Sequence, residues 1–226
     1  MDVFGHDDEL LAFVPAPVLA VILLYPLTDE SEARRLEELE QEPATRMDSV
    51  PDSLFYMKQT IGNACGTIAL MHCLANVCAP AGAAAEEGGG EGGGEAEETV
   101  ARQAGSFLDK FLGETAGMTP EAIGEHLEAG RGCAGSLHEM HGEAAQDGAT
   151  RPPGVDEEIN LHFVAFVEKD GDVWELDGRR AGPIRRGAVD GQGLMRSVAR
   201  VVREEYVEKA NGDLSFSLMA LANEGG

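Results

Sequence analysis

Residues 161–177 read LHFVAFVEKDGDVWELD, two apolar runs on either side of Asp170-Gly171. Runs of strand length flanking Asp-Gly predict a β-hairpin, Leu161 to Glu168 with Asp172 to Asp177, closed by a two-residue turn of the type I′ kind. That turn sets the register: Val164 faces Asp177, and His162 faces Arg179 if pairing extends that far. Side chains alternate with period two, so Asp177 falls on the face of His162. It is the diagonal neighbour, roughly 7–8 Å away between backbones, a gap that a carboxylate and an imidazole bridge with their side chains. A three-residue turn would invert the parity and separate them.

The flanking sequence supplies the rest of the architecture. Asp7 caps a short helical turn through Leu10, Leu11 and Phe13 that Pro15 ends, and Val18 to Leu24 is a continuous apolar run expected to be a buried strand. Thr28 to Glu42 reads as a charged, thinly anchored surface helix with an acidic first turn. From Asn63 to Val77 the apolar residues Ile68, Leu70, Met71, Cys73, Leu74 and Val77 cover nearly the whole circumference of a helix, which predicts a central, buried one. Thr99 to Leu112 and Thr119 to Ala129 are amphipathic, the second opened by Thr119 as cap and Pro120 at the first helical position. Further elements are expected as a helix from about Gly132 to His141, a helix over Val198 to Val207 and a strand over Leu214 to Leu221. A strand, a block of helices and then strands around one more helix argue for an α+β fold with a mainly antiparallel sheet.

Two stretches stand apart. Ala79 to Glu98 holds six glutamates, no cation and no large apolar residue, so it is expected to be a disordered insert. Its glycines lack the Lys-Ser/Thr of a phosphate loop, and no strand leads into them. Gly142 to Glu158 is polar with a double proline and long for a connection inside a domain; such loops are usually functional or mobile.

The chain has 226 residues, the size of one domain. Its 17 Lys+Arg against 41 Asp+Glu leave a net charge of −24, which works against phosphate-backbone binding, so no nucleic-acid partner is expected. The run from Leu10 to Leu27 follows Asp7, Asp8 and Glu9 and is broken by Pro15, Pro17 and Pro26, fitting neither a membrane span nor a signal peptide. The four cysteines, Cys65, Cys73, Cys78 and Cys133, form no Cys-x-x-Cys pair, which argues against a disulfide framework and a zinc site and for a reducing compartment, the cytosol or the nucleus.

The residues able to do chemistry are few. Cys65 opens the buried helix, where free N–H groups and the helix dipole favour a thiolate; taken alone it reads as a packed cysteine. His162 sits in a strand apolar on both faces, a costly place unless hydrogen-bonded; taken alone it reads as a satisfied core histidine. With Asp177 on its face, His162 can be oriented through one ring nitrogen while the other meets a thiol. Gln59 lies in the extended approach to the helix, and its amide can point at the same space as the Cys65 backbone N–H, two donors for an oxyanion; by spacing alone it reads as a surface glutamine. His138 and His141 lack a third ligand and read as two solvent-facing histidines, and no metal or other cofactor is expected.

Gln59-Thr60-Ile61-Gly62-Asn63-Ala64-Cys65-Gly66-Thr67 resembles the active-site motif of the ubiquitin C-terminal hydrolase family. Leu161-His162-Phe163-Val164-Ala165 with Trp174-Glu175-Leu176-Asp177-Gly178-Arg179 is similar to that family's His and Asp segments, and Asp2 to Pro26 resembles its early region. The resemblance spans nearly the whole chain except Ala79 to Glu98. It implies a papain-like cysteine-protease fold, one catalytic domain over residues 1–226, and a set with Cys65 as nucleophile, His162 as general base and acid, Asp177 as orienter and Gln59 as oxyanion donor. The implied reaction is thiol hydrolysis, through a thioester, after the terminal glycine of ubiquitin. Gly142 to Glu158 matches the segment that crosses over the active site in such enzymes, which suggests that it filters leaving groups by size and favours small adducts and short peptide extensions.

Against the family pattern the chain starts some thirty residues late, so part of the ubiquitin groove is expected to be absent. Two other readings follow: a ubiquitin-binding module with little turnover, and a hydrolase for another ubiquitin-like modifier. The few residues after the last strand leave no room for an assembly-forming extension, and a monomer is expected.

Overall fold

The structure, a computed structural model, describes residues 2–3, 8–29, 31–33, 35–36, 50–79, 100–134, 160–210 and 215–223. Its framework is a six-stranded sheet built from β1 (Asp2–Val3), β2 (Val18–Pro26), β5 (Leu161–Lys169), β6 (Asp172–Leu176), β7 (Ile184–Ala188) and β8 (Ser217–Ala222). They lie in the order β1-β8-β2-β5-β6-β7, every neighbouring pair antiparallel. The hairpin closes as its turn chemistry requires: Asp170 and Gly171 have φ of 53° and 77°, and Lys169 pairs with Asp172 and Ala165 with Leu176.

Both faces of β5 are apolar because both are covered. On one, Val164 and Phe166 pack with Val21, Leu23 and Val173 under helix α5 (Leu194–Val202), which runs into a π-helical turn, Arg203–Val207. On the other, Ala165 and Val167 pack with Trp174 and Leu176 against Ala69, Cys73 and Val77 of helix α2 (Cys65–Val77). A third cluster joins Ile68 and Met71 of α2 to Met57, to Phe111 of α3 (Phe107–Glu114) and to Ile123 and Leu127 of α4 (Pro120–Glu128). The expected α+β class and mainly antiparallel sheet are present; α1 (Asp8–Leu11) supplies the short turn before β2.

Several boundaries differ from expectation. The helix predicted from Thr99 begins at Phe107, because the Ser106 side chain accepts from the Asp109 N–H and caps it there. The preceding Val100–Ala101 is β4, paired in parallel with β3 (Cys78–Ala79). Helix α2 begins at Cys65 rather than Asn63, whose φ of 57° lies outside helical space, and its Leu70 is exposed. The helix predicted over 198–207 starts at Leu194, with Gly193 (φ 88°) ahead of it. Of the helix expected from about Gly132 to His141, the described residues include a 3-10 turn, Gly132–Ala134, and residues 135–141 lie outside them; the last strand is Ser217–Ala222. Strand β7 was not anticipated: IRRGA shows no alternation, since Gly187 follows a register shift in its pairing with β6. The expected insert at 79–98 (beyond residue 79), the loop at 142–158, His138 and His141 lie outside the described residues.

Candidate active site

The chain reaches Cys65 through an extended segment clamped along α2. The Asn76 side chain mimics a strand partner: its Oδ1 accepts from the Phe55 N–H at 2.8 Å and its Nδ2 donates to the Phe55 carbonyl at 2.9 Å. One turn earlier the fully buried His72 accepts from the Met57 N–H through Nε2 at 3.1 Å, and its ring stacks on Tyr56. Burial drives the His72 pKa down to about 4, leaving a neutral ring that can accept.

Cys65 is the first residue of α2 and is half-buried. Burial alone would push its thiol up. The hydrogen bond to His162 and the backbone N–H groups of Phe163 and Gly66 outweigh that and bring it below the ordinary cysteine value. The other thiols are pushed up, Cys73 to about 12 by burial, so Cys65 is set apart as the reactive one.

His162 enters from β5 opposite Tyr25 of β2, whose ring meets it edge-on at 5.7 Å. Its Nε2 lies 2.8 Å from Asp177 Oδ1, leaving Nδ1 for the thiol. Burial pulls the His162 pKa down, but Asp177 and Cys65 together raise it to about 9. Asp177 shows the converse balance: burial raises its carboxyl, while His162, the Arg179 N–H and Arg180 hold it below the usual range.

The expected pairing of His162 with Arg179 does not form, because the ladder ends at Ala165 and Leu176. Beyond it the chain turns, with the Arg180 N–H donating to the Asp177 carbonyl and the Arg179 N–H to Asp177 Oδ1 at 2.9 Å. The carboxylate still reaches His162 from the face that the hairpin parity assigned.

Gln59 is bonded through its main chain to Gly178, N–H to carbonyl at 2.9 Å. Its Nε2 donates to the Ile61 carbonyl at 3.0 Å, which occupies one of the amide's two donors.

Several residues that shape the site carried no sequence signal of their own. A Cβ on Gly178 would lie 2.8 Å from Ile68 Cγ2 and 3.0 Å from Gln59 N, so only glycine lets the two strands of chain approach. The Tyr56 hydroxyl sits 2.8 Å from the carbonyls of both Asp177 and Arg180, and Lys58 Nζ also donates to the Arg180 carbonyl. Arg179 grips Glu32 with two hydrogen bonds of 3.0 and 2.8 Å, tying the helical residues 31–33 to the loop after Asp177. Tyrosine, glycine and arginine in these roles are recognised by their spatial neighbours, which a linear reading does not supply. Among the described residues no group of three or more His, Cys, Asp or Glu is placed to hold a metal.

This arrangement is a polarised thiol–imidazole–carboxylate line at the N-terminus of a buried helix. A family model described as "Ubiquitin carboxyl-terminal hydrolase, family 1" matches residues 1–207. The chain belongs to the ubiquitin carboxyl-terminal hydrolase family. Among its relatives, ubiquitin carboxyl-terminal hydrolase 3 of Arabidopsis thaliana is 37% identical over 221 residues, 98% of this chain and 82% of that protein. The human isozyme L1 is 35% identical over 221 residues, 98% of this chain and 86% of that protein. In fold it is similar to the Trichinella spiralis UCH37 catalytic domain bound to ubiquitin vinyl methyl ester, with a TM-score of 0.63 at 21% identity, covering 99% of this chain and 84% of that one. As a member of the ubiquitin carboxyl-terminal hydrolase family the chain is a deubiquitinating hydrolase of the cysteine type.

Proposed function

We propose that Cys65 is the nucleophile of this hydrolase, with His162 as its general base and acid and Asp177 as the group that orients His162. The supporting observation is the line itself: Cys65 hydrogen-bonded to His162, and His162 Nε2 held 2.8 Å from Asp177 Oδ1. With Cys65 lowered and His162 raised, the pair favours thiolate with imidazolium over thiol with imidazole. The thiolate sulfur attacks the carbonyl carbon after ubiquitin's terminal glycine, and the carbonyl electron pair moves to oxygen. The Cys65 N–H and the Gln59 side chain donate to that oxyanion. As the tetrahedral species collapses, His162 passes its proton to the departing amine and a thioester remains. Water, deprotonated by His162, then attacks the thioester, and Cys65 leaves as thiolate.

The proposal extends to substrate and setting. Small adducts and short peptide extensions are the preferred leaving groups, on the length and position of residues 142–158 in the sequence. Ubiquitin is the partner, in keeping with the similar Trichinella spiralis domain, which is bound to ubiquitin vinyl methyl ester. The charge of −24 disfavours nucleic acid, and four free cysteines fit the cytosol or the nucleus. The working form is a monomer with no cofactor.

The test is mass spectrometry of the chain after incubation with ubiquitin carrying a thiol-reactive group at its C-terminus, beside Cys65→Ala. A one-ubiquitin adduct lost in the variant is expected. No adduct from a folded sample would reject ubiquitin as the modifier recognised, and an adduct persisting in Cys65→Ala would reject the nucleophile.

A further inference from the structure

Behind the catalytic line, on the face of the sheet that carries α5, lies a buried set of charges with no part in the steps above. Glu175 precedes Asp177 by two residues and is 0% exposed. Arg186 of β7 donates from Nε to Glu175 Oε2 at 2.7 Å, and Arg186 Nη1 lies 3.9 Å from Glu205. Arg180, itself buried, places Nε 3.5 Å from Glu175 Oε1 and 3.8 Å from Asp177 Oδ2. Tyr25 and Tyr206 pack ring to ring at 5.0 Å and are both buried; Tyr25 also meets His162.

Stability is a poor reason for such a set. Apolar residues of the same volume would do as well, because charges taken out of water give back in desolvation much of what their pairing supplies. Its geometry suggests another use. Asp177 Oδ1 serves His162 Nε2 and the Arg179 N–H. A guanidinium closing fully on Asp177 would form a two-pronged pair with both carboxylate oxygens and draw the carboxylate off His162. Arg180 Nε sits between two carboxylates, 3.5 Å from Glu175 Oε1 and 3.8 Å from Asp177 Oδ2, ion-paired with both and hydrogen-bonded to neither through that nitrogen, so Glu175 competes with Asp177 for its charge.

We propose that Glu175 is a positioning residue for the Asp177–His162 pair: it holds the Arg180 guanidinium beside Asp177 yet off it, so that the carboxylate stays with His162. This rests on the catalytic reading of Cys65, His162 and Asp177. Among the described residues, the titratable and charged groups facing the pair are Cys65 and His72 from α2, Tyr25 from β2, Glu175 from β6, and Arg179 and Arg180 from the loop.

The test combines turnover with pH-dependent alkylation of Cys65 by iodoacetamide, followed at the Cys65 peptide by mass spectrometry; the second readout needs no ubiquitin. In Glu175→Gln, Arg180 closes on Asp177, and kcat falls about ten- to a hundredfold with KM nearly unchanged. The high-pH limb of the alkylation profile, set by loss of the His162 proton, moves to lower pH by about one unit. In Glu175→Gln with Arg180→Met the competing cation is gone, and both quantities return toward those of the unsubstituted chain. A merely structural role for Glu175 would give no such rescue. A folded Glu175→Gln chain with an unshifted limb, or a double variant no better than the single, overturns the proposal. If Glu175→Gln does not fold, Glu175→Asp decides: its charge is kept one methylene short, a displacement of the limb in the same direction is expected, and an unshifted limb overturns the proposal. A chain that alkylates as described yet turns over no ubiquitin substrate refutes the substrate reading and leaves this one standing.

Discussion

At the scale of single residues, the chemistry depends on how strongly His162 holds its proton. Burial disfavours the imidazolium, and Asp177 is the first of the groups that reverse the sign. Asp177→Asn removes that support, so the upper limb of Cys65 alkylation, expected near pH 9 in the unsubstituted chain, moves down. With the wrong tautomer favoured as well, kcat/KM on a fluorogenic ubiquitin substrate falls by roughly 10²–10⁴-fold. An Asn variant alkylating with the same limb would show that Asp177 does not set the His162 proton affinity. Gly178→Ala acts on Gln59: the new methyl collides with Gln59 and Ile68, and kcat is expected to fall by up to about 10²-fold as the oxyanion donor is displaced, read by steady-state kinetics. His162 and Asp177 stood out by the hairpin parity and all four site residues by a family pattern, whereas Cys65 and Gln59 taken alone read as a packed cysteine and a surface glutamine. Glu175, Arg180, Tyr56 and His72 did not stand out, since each acts through a neighbour distant in sequence or bent back by a turn that the hairpin pattern does not specify.

At the scale of elements, α2 does two jobs with one face: it presents Cys65 at its start and grips residues 55–57 with Asn76 and His72. Asn76→Ala leaves the partly buried Phe55 N–H and carbonyl without these partners, which is expected to cost about 1–3 kcal/mol by urea unfolding, two net hydrogen bonds at about 0.5–1.5 kcal/mol each. His72 adds a pH dependence. Its folded pKa of about 4 lies below the ordinary 6.5, so between these values the unfolded chain binds the extra proton. The stability linked to His72 is full above pH 6.5, drains as pH falls and is gone below about 4, a loss of about 3 kcal/mol at most. Plotting unfolding free energy against pH for the chain and for His72→Gln should show that slope vanish in the variant; equal slopes would mean that His72 is not buried as a neutral ring. The elements with strong local chemistry were readable in advance, namely the Asp170-Gly171 hairpin and the Thr119-Pro120 helix start. Strand β7 and the parallel β3–β4 pair were not: β7 has arginines turned to partners across the sheet, and β3–β4 joins residues far apart in sequence with two pairs.

At the scale of the whole molecule, a charge of −24 has little to say about the fold and much about encounter. A field of one sign steers a partner of the opposite sign and raises the association rate, and salt screens it, the Debye length shrinking from about 14 to about 6 Å between 50 and 300 mM. For a ubiquitin substrate under conditions where capture limits kcat/KM, that change is expected to lower kcat/KM several-fold. Alkylation of Cys65 by uncharged iodoacetamide should stay nearly constant, because no charged partner has to approach. The comparison separates steering from any effect of salt on the thiolate itself. The insert at 79–98 then offers a way to ask which charges matter, since replacing its six glutamates by glutamine removes a quarter of the net charge. If the chain steers through its summed field, the salt slope of kcat/KM falls by about a quarter. A slope unchanged in that variant would place steering in charges close to the groove, and a salt-independent parent would show that the acidic excess faces away from the captured protein.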